Sequence, residues 1–410
     1  MYIDHLSLMD YRTYRLLNLP LKPGVTVFLG SNGVGKTNIV EALDYTARLG
    51  SHRVSQDAPL VRVGAQRAYI RTRTVRGRQE TVLEFEIAPG QANRVRINRA
   101  APVRAREALG ITRTVFFSPE DLALVKGEPA GRRRFLDDLA TSLRPVVASY
   151  RANYEKILRQ RNSLLKAMRS PRRRTEAEQK TLEIWNQQLA EAGAYLFQAR
   201  LRTLALLAPE LKRAYGQLTD GSKQVQLAYQ SRVLPELSEG VLQQAALMSV
   251  ADLKDILLEA IEARVAEEME RGLSLVGPHR DDLSFLLGGI PVKGFASHGE
   301  SWTYALALKL AAWYVHLADD PSPGAAPILI LDDVFAELDQ ARRRRLGALV
   351  AGAEQVLVTC AVPTDIPQDL GRYELLQVEA GQVTALKSPT GLNRGEHEAQ
   401  NLGVEEDSTP

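Results

Sequence analysis

The stretch GSNGVGKT, residues 30–37, decides how the rest of the chain is interpreted. Its spacing is G-x-x-x-x-G-K-[ST], the pattern of a loop that surrounds a phosphate chain with backbone amides. A short apolar run at 25–29 precedes the loop, and residues 37–49 carry apolar side chains at helical spacing. Glycines let the backbone approach the phosphates, and the following helix directs its positive N-terminus at them. The sequence therefore predicts a nucleotide-binding loop between a strand and a helix.

The side chains of this loop have expected roles in ATP binding. Lys36 supplies a positive charge to the phosphates and is expected to take part in catalysis, and the hydroxyl of Thr37 can reach Mg²⁺. The other expected contacts come from Gly30, Ser31, Asn32, Gly33, Val34 and Gly35. An ordinary glycine-rich turn is the structural alternative. The position between a strand and an amphipathic helix favours the nucleotide site.

A second part of the site is expected about three hundred residues later. Residues 327–331, PILIL, form a continuous apolar run that is typical of a parallel strand buried on both faces, and Asp332 and Asp333 follow it. We expect Asp332 to bind Mg²⁺ and Asp333 to orient the water that attacks the γ-phosphate. Two aspartates after a strand more often belong to a turn. Together with the loop at 30–37, the catalytic interpretation is favoured.

A third segment, GFASHGESWTYALALKLAAWY at 294–314, is a hydroxyl-rich turn that continues into a long helix. Its helix N-terminus can bind an anion. One chain seldom needs two such sites for one γ-phosphate. A head-to-tail pair of chains does, because each chain can place its serine-glycine turn against the nucleotide that the other holds. The sequence therefore predicts a dimer with ATP between the two chains.

The middle of the chain predicts a helical hairpin with a basic tip. Residues 154–168 and 182–199 carry apolar side chains at the spacing of an antiparallel or coiled-coil seam, and Pro171 separates them. From residue 141 to residue 180 there are eleven Lys and Arg against three Glu, a net charge of +8. A solvated turn between two core helices is the structural alternative to a DNA-binding role for this tip.

Composition limits the other possibilities. The chain has 410 residues and a single cysteine, Cys360, which excludes an internal disulfide framework and indicates a reducing compartment. No apolar run is long enough to cross a membrane, and the first residues do not resemble a secretion signal, so we expect a cytoplasmic protein without a membrane partner. Residues 388–410 are acidic and poor in branched side chains, which predicts a disordered tail.

Three motifs together resemble those of ABC-type ATPases of the SMC family: GSNGVGKTNIVEAL, FASHGES and ILILDDVFAELD. In this resemblance the serine-glycine turn is the signature motif, and residues 336–339 are the D-loop. DYRTY at 10–14, FFSPEDLALVKGEPAGRRRFLD at 116–137 and GPHRDDL at 277–283 are similar to the RecF family of bacterial recombination mediators. The resemblance extends from residue 1 to about residue 387.

The resemblance implies an α/β fold, an ABC-type P-loop ATPase head into which a mainly helical second lobe is inserted. Residues 1–118 and 325–387 are expected to form lobe I, and residues 119–324 lobe II with the basic hairpin and the signature motif. It also implies Ser297 and Gly299 as contacts to the partner's nucleotide, Asp332 as the magnesium ligand, and Arg12 as an arginine near the phosphates.

The function implied by the resemblance is ATP-dependent dimerisation and binding of double-stranded DNA, with a preference for junctions between single and double strands. Proteins of this family act with RecO and RecR to place RecA on gapped DNA in repair and replication. The chain departs from ABC-type ATPases where many have Glu in place of Asp333. It has Thr359 and Cys360 where a switch histidine is expected, and no glutamine loop is identified. These departures predict slow, DNA-stimulated hydrolysis, with ATP acting mainly as a dimerisation ligand.

Two other classes of protein remain open. An SMC-type chromosome-organising ATPase needs long coiled-coil arms, and a hairpin of about seventy residues offers roughly 50 Å per helix. A transport ATPase subunit gains nothing from a basic hairpin. Among the other basic clusters, we expect Arg342–Arg345 to be a solvated helix face. Arg132, Arg133 and Arg134 are equally compatible with DNA contact and with a structural role.

Overall fold

The computed structural model describes residues 1–170, 175–221, 223–234 and 237–386. The predicted basic tip at 171–174 and the predicted acidic tail at 388–410 lie outside these residues. Within them, no helix is both long enough and apolar enough to cross a membrane.

Strands form three sheets, and helices form most of the middle of the chain. The strands are β1 Tyr2–Tyr11, β2 Tyr14–Pro20, β3 Gly24–Leu29, β4 Ala68–Arg76, β5 Gln79–Ile87, β6 Arg94–Ile97, β7 Val103–Arg104, β8 Thr114–Phe117, β9 Val225–Gln230, β10 Asp282–Leu287, β11 Ile290–Pro291, β12 Ile328–Asp332, β13 Gln355–Cys360, β14 Tyr373–Glu379 and β15 Gln382–Leu386. The helices are α1 Lys36–Arg48, α2 Leu122–Lys126, α3 Pro129–Leu143, α4 Val146–Met168, α5 Glu176–Leu218, α6 Glu239–Ala245, α7 Val250–Glu262, α8 Val265–Arg271, α9 Val292–Phe295, α10 His298–Asp319 and α11 Gln340–Val350.

The sheet that carries the predicted nucleotide loop has the order β15-β14-β3-β13-β12-β8. Strands β14, β3, β13, β12 and β8 are parallel, and β15 adds one antiparallel edge strand. Carboxyl ends of parallel strands meet at one edge of a sheet, where ligands bind in open α/β folds. The loop after β3 and the aspartates after β12 therefore share this edge, although about three hundred residues separate them.

Two hydrophobic cores lie on opposite faces of this parallel sheet. Leu329 and Leu331 of β12 belong to the core shared with the helical layer, whereas Ile328 and Ile330 belong to the core shared with α1 and the antiparallel sheet. Successive strand residues point to opposite faces, so a strand covered on both sides must be apolar throughout. The prediction that PILIL forms a central buried strand is confirmed.

The second six-stranded sheet is antiparallel, in the order β2-β1-β4-β5-β6-β7, and contains the meander predicted from residues 69–97. Helix α1 packs between the two large sheets with Ile39, Val40 and Leu43 fully buried. The predicted lobe boundaries fall directly after β8 and shortly before β12, and these boundaries remain a prediction.

The predicted helical hairpin consists of α4 and α5, which pack along each other. The predicted length was too short for α5, which has 43 residues and spans about 65 Å. Its second half does not extend as an arm, because Leu204, Leu207 and Leu211 are buried in the core shared with the parallel sheet.

Arg161, which the sequence places on the buried face of α4, lies at the centre of a polar network. Its guanidinium donates to Glu268 at 2.5 Å, to Ser274 at 2.7 Å and to Asn186 at 2.8 Å. Both side chains of the ion pair with Glu268 are fully buried. A charge that is removed from water is tolerated when its partners are close and complete. The network therefore fixes the arrangement of α4, α5 and α8.

Other arginines also pair within the fold. Arg132 is buried and makes a two-pronged ion pair with Asp282, at 2.7 and 2.9 Å, so a DNA contact by Arg132 is wrong. Arg133 donates to the backbone of Asp281. Each arginine of 342–345 pairs with an aspartate: Asp339, Asp365, Asp369 and Asp220 in turn. This pairing supports the structural interpretation of these clusters.

We expect Arg161→Ala to lower the free energy of unfolding by about 3–5 kcal/mol, because the charge of Glu268 then stays buried without a partner. Urea unfolding followed by circular dichroism measures the change. Lys180→Ala is the control, because Lys180 pairs with Glu176 on the exposed surface of α5. Loss of such a pair costs at most about 0.5 kcal/mol. Equal unfolding midpoints for the two variants would contradict a structural role for the buried pair.

Candidate nucleotide-binding site

The loop at 30–35 connects β3 to α1, and two of its glycines are required by close contacts. A Cβ at Gly30 would overlap the carbonyl oxygen of Val378. Gly35 has φ of 111°, and a Cβ there would lie 2.8 Å from the hydroxyl of Tyr14. That hydroxyl donates to the carbonyl of Gly35 at 3.2 Å. The loop is therefore held tightly from behind, while its amides stay available at the start of α1.

Lys36 is buried and turns back over this loop. Its ammonium donates to the carbonyl oxygens of Gly30 at 2.8 Å and Ser31 at 3.2 Å, and lies 3.5 Å from the side-chain oxygen of Asn32. These are weak acceptors compared with a phosphate oxygen. The positive charge is thus positioned at the loop and can be transferred to a nucleotide phosphate without a large movement.

Asp332 connects the loop to two neighbouring strands. One carboxylate oxygen accepts hydrogen bonds from the hydroxyl of Thr37 at 3.1 Å and from that of Thr359 at 2.6 Å. The backbone N–H of Asp333 donates to Thr359 at 2.9 Å. Asp333 itself adopts a left-handed backbone with φ of 51°, which is uncommon outside glycine and directs the chain sharply away from β12.

The two aspartates are both harder to ionise than free carboxyl groups. Burial raises the pKa of Asp332 to about 6, and the charge of Asp333 raises it further, whereas the hydroxyls of Thr359 and Thr37 oppose the shift. Burial also raises the pKa of Asp333, against the nearby charge of Lys36. Two carboxylates in a low-dielectric pocket repel each other, so a cation beside them would be stabilising.

The residues at this position fit Mg²⁺. Mg²⁺ prefers hard oxygen ligands and is usually held by one or two protein groups together with substrate phosphates and water. Thr37 and Asp332 offer one hydroxyl and one carboxylate within hydrogen-bonding distance of each other. Among the described residues, no group of three His, Cys, Asp or Glu forms a metal cage by itself. The donor set therefore suits a metal that arrives with a nucleotide.

A cavity of about 390 Å³ opens beside the loop. Seven predicted site residues line it: Arg12, Asn32, Gly33, Gly35, Lys36, Thr37 and Asp333. Gly30, Ser31, Val34 and Asp332 are not among its lining residues, and neither are Ser297 and Gly299. The structure thus brings most of the predicted site together on one chain and leaves the signature motif outside it.

Arg12 lines the cavity but its charge is already engaged. Its guanidinium makes two hydrogen bonds to the carboxylate of Glu41, at 2.6 and 2.8 Å, and one to the carbonyl of Pro59 at 3.1 Å. The fork of an arginine that holds one carboxylate on two nitrogens has little capacity left for a phosphate. A phosphate contact by Arg12 requires partial exchange of these bonds and remains a prediction.

Several residues of the cavity were not identified from the sequence. They are Thr13, Asn38, Arg53, Pro59, Val61 and Val63. Arg53 is exposed and follows α1 in a segment without regular spacing, so only the folded chain reveals that it faces the loop. Val63 is 94% exposed, which makes it an apolar surface at the mouth of the cavity.

Glu120 is a further acidic residue on this side of the molecule. It follows β8, the edge strand beside β12, and its charge contributes to the raised pKa of both Asp332 and Asp333. Its neighbour Asp121 pairs with Lys309 of α10 at 2.8 Å. The signal in the sequence was PED directly after the apolar run TVFF, which is the same strand-then-carboxylate pattern as ILILDD.

Ser297 caps α10 with a reciprocal pair of hydrogen bonds. Its side chain accepts from the N–H of Glu300 at 3.2 Å, and the carboxylate of Glu300 accepts from the N–H of Ser297 at 2.8 Å. Lys223 also pairs with Glu300, and these contacts, Lys223 first, lower the pKa of Glu300 to about 2. A phosphate that approaches this helix therefore competes with an ionised glutamate for the terminal amides.

The fold and the site together define a class of protein. A parallel sheet carries a phosphate loop after one strand and paired aspartates after the next strand but one, and a long serine-capped helix lies in the layer beside it. This arrangement is the head of an ABC-type ATPase, as the sequence predicts.

Comparisons with known proteins identify the family. The RecF/RecN/SMC N-terminal domain family matches residues 2–367. The chain is 52% identical over 397 residues to the DNA replication and repair protein RecF of Pseudarthrobacter chlorophenolicus, which covers 93% of this chain and 98% of that protein. It is 50% identical over 373 residues to RecF of Streptomyces avermitilis, with 90% and 95% coverage. The chain belongs to the RecF family, and the resemblance found in the sequence is confirmed.

Solved structures agree with this assignment. A structure of the recombination mediator protein RecF-ATP in the RecFOR pathway aligns with a TM-score of 0.82 at 25% identity, covering 94% of this chain and 98% of that one. The Smc head domain of Pyrococcus furiosus bound to the C-terminal domain of ScpA aligns with a TM-score of 0.52 at 17% identity, covering 94% and 96%. The second match reflects the shared fold alone.

Magnesium-dependent ATP binding is expected to weaken as the pH falls through about 6. Below this pH Asp332 carries a proton that Mg²⁺ must displace, so affinity for the metal falls about tenfold per pH unit, and above it the affinity levels off. Titration of a fluorescent ATP analogue with and without Mg²⁺ measures the difference. Asp332→Asn is the control, because its remaining pH dependence belongs to ATP itself. Identical profiles for the two proteins would contradict the assignment of Asp332.

Proposed function

We propose that the chain is an ATP-dependent, dimerising DNA-binding protein of recombinational repair and replication. The observation that carries the proposal is the separation of the two predicted halves of the nucleotide site. The cavity at the phosphate loop is lined by lobe I residues and is open, whereas Ser297 lies at the start of a helix outside it. A second chain that presents its own Ser297 and Gly299 would complete the enclosure.

In this proposal ATP acts as a ligand shared by two protein chains. Lys36 and the loop amides hold the phosphates, Thr37 and Asp332 hold Mg²⁺, and the helix N-terminus of the partner faces the γ-phosphate. Arg342 supports the placement of the signature turn, because one of its guanidinium nitrogens lies 3.4 Å from the position of a Cβ at Gly299, and Arg342 also pairs with Asp339 of the D-loop. A ligand that binds only the paired state stabilises it by its own binding free energy.

Hydrolysis is proposed to be slow. Asp333 lines the cavity and is positioned to accept a proton from water, but its left-handed backbone and raised pKa leave a short, partly protonated carboxylate as the base. The residues after β13 supply a hydroxyl, that of Thr359, which is occupied with Asp332 and Asp333. ATP occupancy, rather than rapid turnover, then controls dimerisation, and DNA is proposed to stimulate the hydrolysis.

DNA binding is proposed to use cations that the fold leaves unpaired. Among the described residues, Lys156, Arg159, Lys166 and Arg169 of α4 are exposed and make no ion pair, and Arg134 of α3 is also exposed and unpaired. Phosphate contacts by such residues are salt-dependent and indifferent to sequence. Double-stranded DNA and junctions with single strands, and the partners RecO and RecR in loading RecA on gapped DNA, follow from the family.

Two observations weigh against the other classes. The helical hairpin ends within the core rather than in a long arm, which disfavours an SMC-type chromosome-organising protein. A transport subunit has no use for the unpaired cations of α4, and it should show no nucleotide-dependent DNA retention at low salt.

We expect Ser297→Arg to abolish ATP-driven self-association and to leave nucleotide binding unchanged. The added bulk and positive charge would block the partner's nucleotide, whereas the protein's own loop is untouched. Sedimentation velocity with ATP and with ADP, and DNA retention at low salt, measure the effect.

Ser249→Arg is the matched control for this substitution. Ser249 caps α7 with the same reciprocal hydrogen bonds, made with Asp252, so both variants lose about 1 kcal/mol of helix capping. An ATP-driven dimer of Ser297→Arg as stable as that of Ser249→Arg would exclude the shared site.

Asp333→Asn is expected to reduce ATP turnover by about a hundredfold and to preserve ATP-driven dimerisation, because the amide keeps the shape but cannot accept the proton of water. Phosphate release measures turnover, and sedimentation measures the dimer. Asp365→Asn is the control, because Asp365 lies nearby and pairs with Arg343 instead. Turnover at the wild-type rate in Asp333→Asn would show that the base is another group.

A further inference from the structure

A groove runs between α4 and α5 on the outer side of the helical hairpin. It has a volume of about 350 Å³ and is lined from α4 by residues 153–160 and from α5 by residues 185–195. The lining positions recur every three or four residues on each helix, so they form one continuous face. The groove shares no lining residue with the cavity at the phosphate loop.

Aromatic side chains are exposed along this groove. Trp185 lines it and is only partly buried, whereas Trp302 and Trp313, the other two tryptophans of the chain, are 3% and 6% exposed in the core. Tyr195 is 39% exposed and stacks on Tyr150 with ring centroids 4.9 Å apart and an angle of 29° between the planes. The core does not require these rings, because the seam beneath is already filled. They offer flat apolar faces to an incoming ligand.

The polar residues of the groove are unpaired. Among the described residues, the amides of Asn153, Gln160 and Gln188 make no hydrogen bond to another side chain or to the backbone beyond their helices, and Lys156 makes no ion pair. Glu191 is the one carboxylate in the lining. The exposed cations Arg159, Lys166 and Arg169 continue along α4 toward the end of the hairpin, so the surface around the groove is positive.

We propose that this groove binds single-stranded nucleic acid, with unpaired bases stacked on Trp185 and Tyr195 and the phosphate backbone along the cations of α4. The proposal rests on the proposed DNA-binding function and assigns the single strand to a separate surface. Stacking platforms combined with a positive track are the usual means of binding single strands without sequence preference, because every base has an aromatic face. The unpaired amides can donate to and accept from base edges.

A protein helix is a poorer fit to this surface. Helices that dock in grooves insert aliphatic anchors into apolar pockets spaced by one turn. Here the apolar floor consists of Ile157 and Ala192, and the walls carry amides, a lysine and aromatic rings. A duplex that is held by the paired heads and a single strand that lies in the hairpin groove would together explain a preference for junctions.

Tryptophan fluorescence tests the proposal directly, because Trp185 is the one tryptophan outside the core. Titration of the full chain with oligo(dT), in the presence of ATP and Mg²⁺, is expected to quench the emission and to protect it from acrylamide. Trp185→Phe should remove the quench and keep most of the affinity, which anisotropy of labelled oligo(dT) reports. Trp185→Ala should weaken oligo(dT) binding by at least about fivefold, the loss expected for one stacked base.

Ile184→Ala is the matched control, because Ile184 is 58% exposed beside Trp185 and does not line the groove. It should bind oligo(dT) like the wild type, and blunt duplex retention should be equal in all the variants. Emission from Trp302 and Trp313 checks that the core is intact. Oligo(dT) binding without a change in Trp185 emission, or equal affinity of Trp185→Ala and wild type, would overturn the groove proposal. Failure of the wild type to retain duplex with ATP would overturn the proposed function instead.

Discussion

The carboxylate of Asp332 is the contact on which the nucleotide site depends. It accepts a hydrogen bond from Thr37, 295 residues earlier, and another from Thr359 on the neighbouring strand. Through these two bonds the first residues of α1 and the ends of β12 and β13 are held at one edge of the parallel sheet. Because the carboxylate is buried and its pKa is raised, the site stores a preference for a bound cation. Geometry and electrostatics thus favour the same occupant.

Helix α10 connects this edge of the sheet to the predicted contact with a partner. Ser297 caps its first turn, and three turns further Lys309 donates to the carbonyl of Phe116 at 2.7 Å and pairs with Asp121 at 2.8 Å. Both groups of that pair are largely buried, so the helix is firmly attached to the end of β8. A rigid helix attached in this way must move together with the segment that carries Glu120, whose charge reaches the paired aspartates.

Pairing determines how the charge of this chain is distributed. The region from 141 to 180 has a net charge of +8 in the sequence, but Arg144, Arg151 and Arg161 pair with carboxylates from outside it. Arg132 is likewise consumed by Asp282. Counting charges along a chain cannot separate such residues from free ones, because partners such as Asp319 and Glu268 are more than a hundred residues away. What remains unpaired on α4 is a shorter and more clearly directed positive surface.

The sequence by itself determined the phosphate loop, the buried strand before Asp332 and Asp333, the capped helix at Ser297, and with them the fold class and the family. Each of these is a local pattern, in which the spacing of glycines or apolar residues reports a backbone conformation directly. Only the tertiary structure decided that Arg12 holds Glu41, that Arg53 and Val63 line the cavity, that Glu120 faces the aspartates, and that Trp185 lies in an open groove. These facts depend on contacts between residues far apart in the chain, which no local spacing encodes.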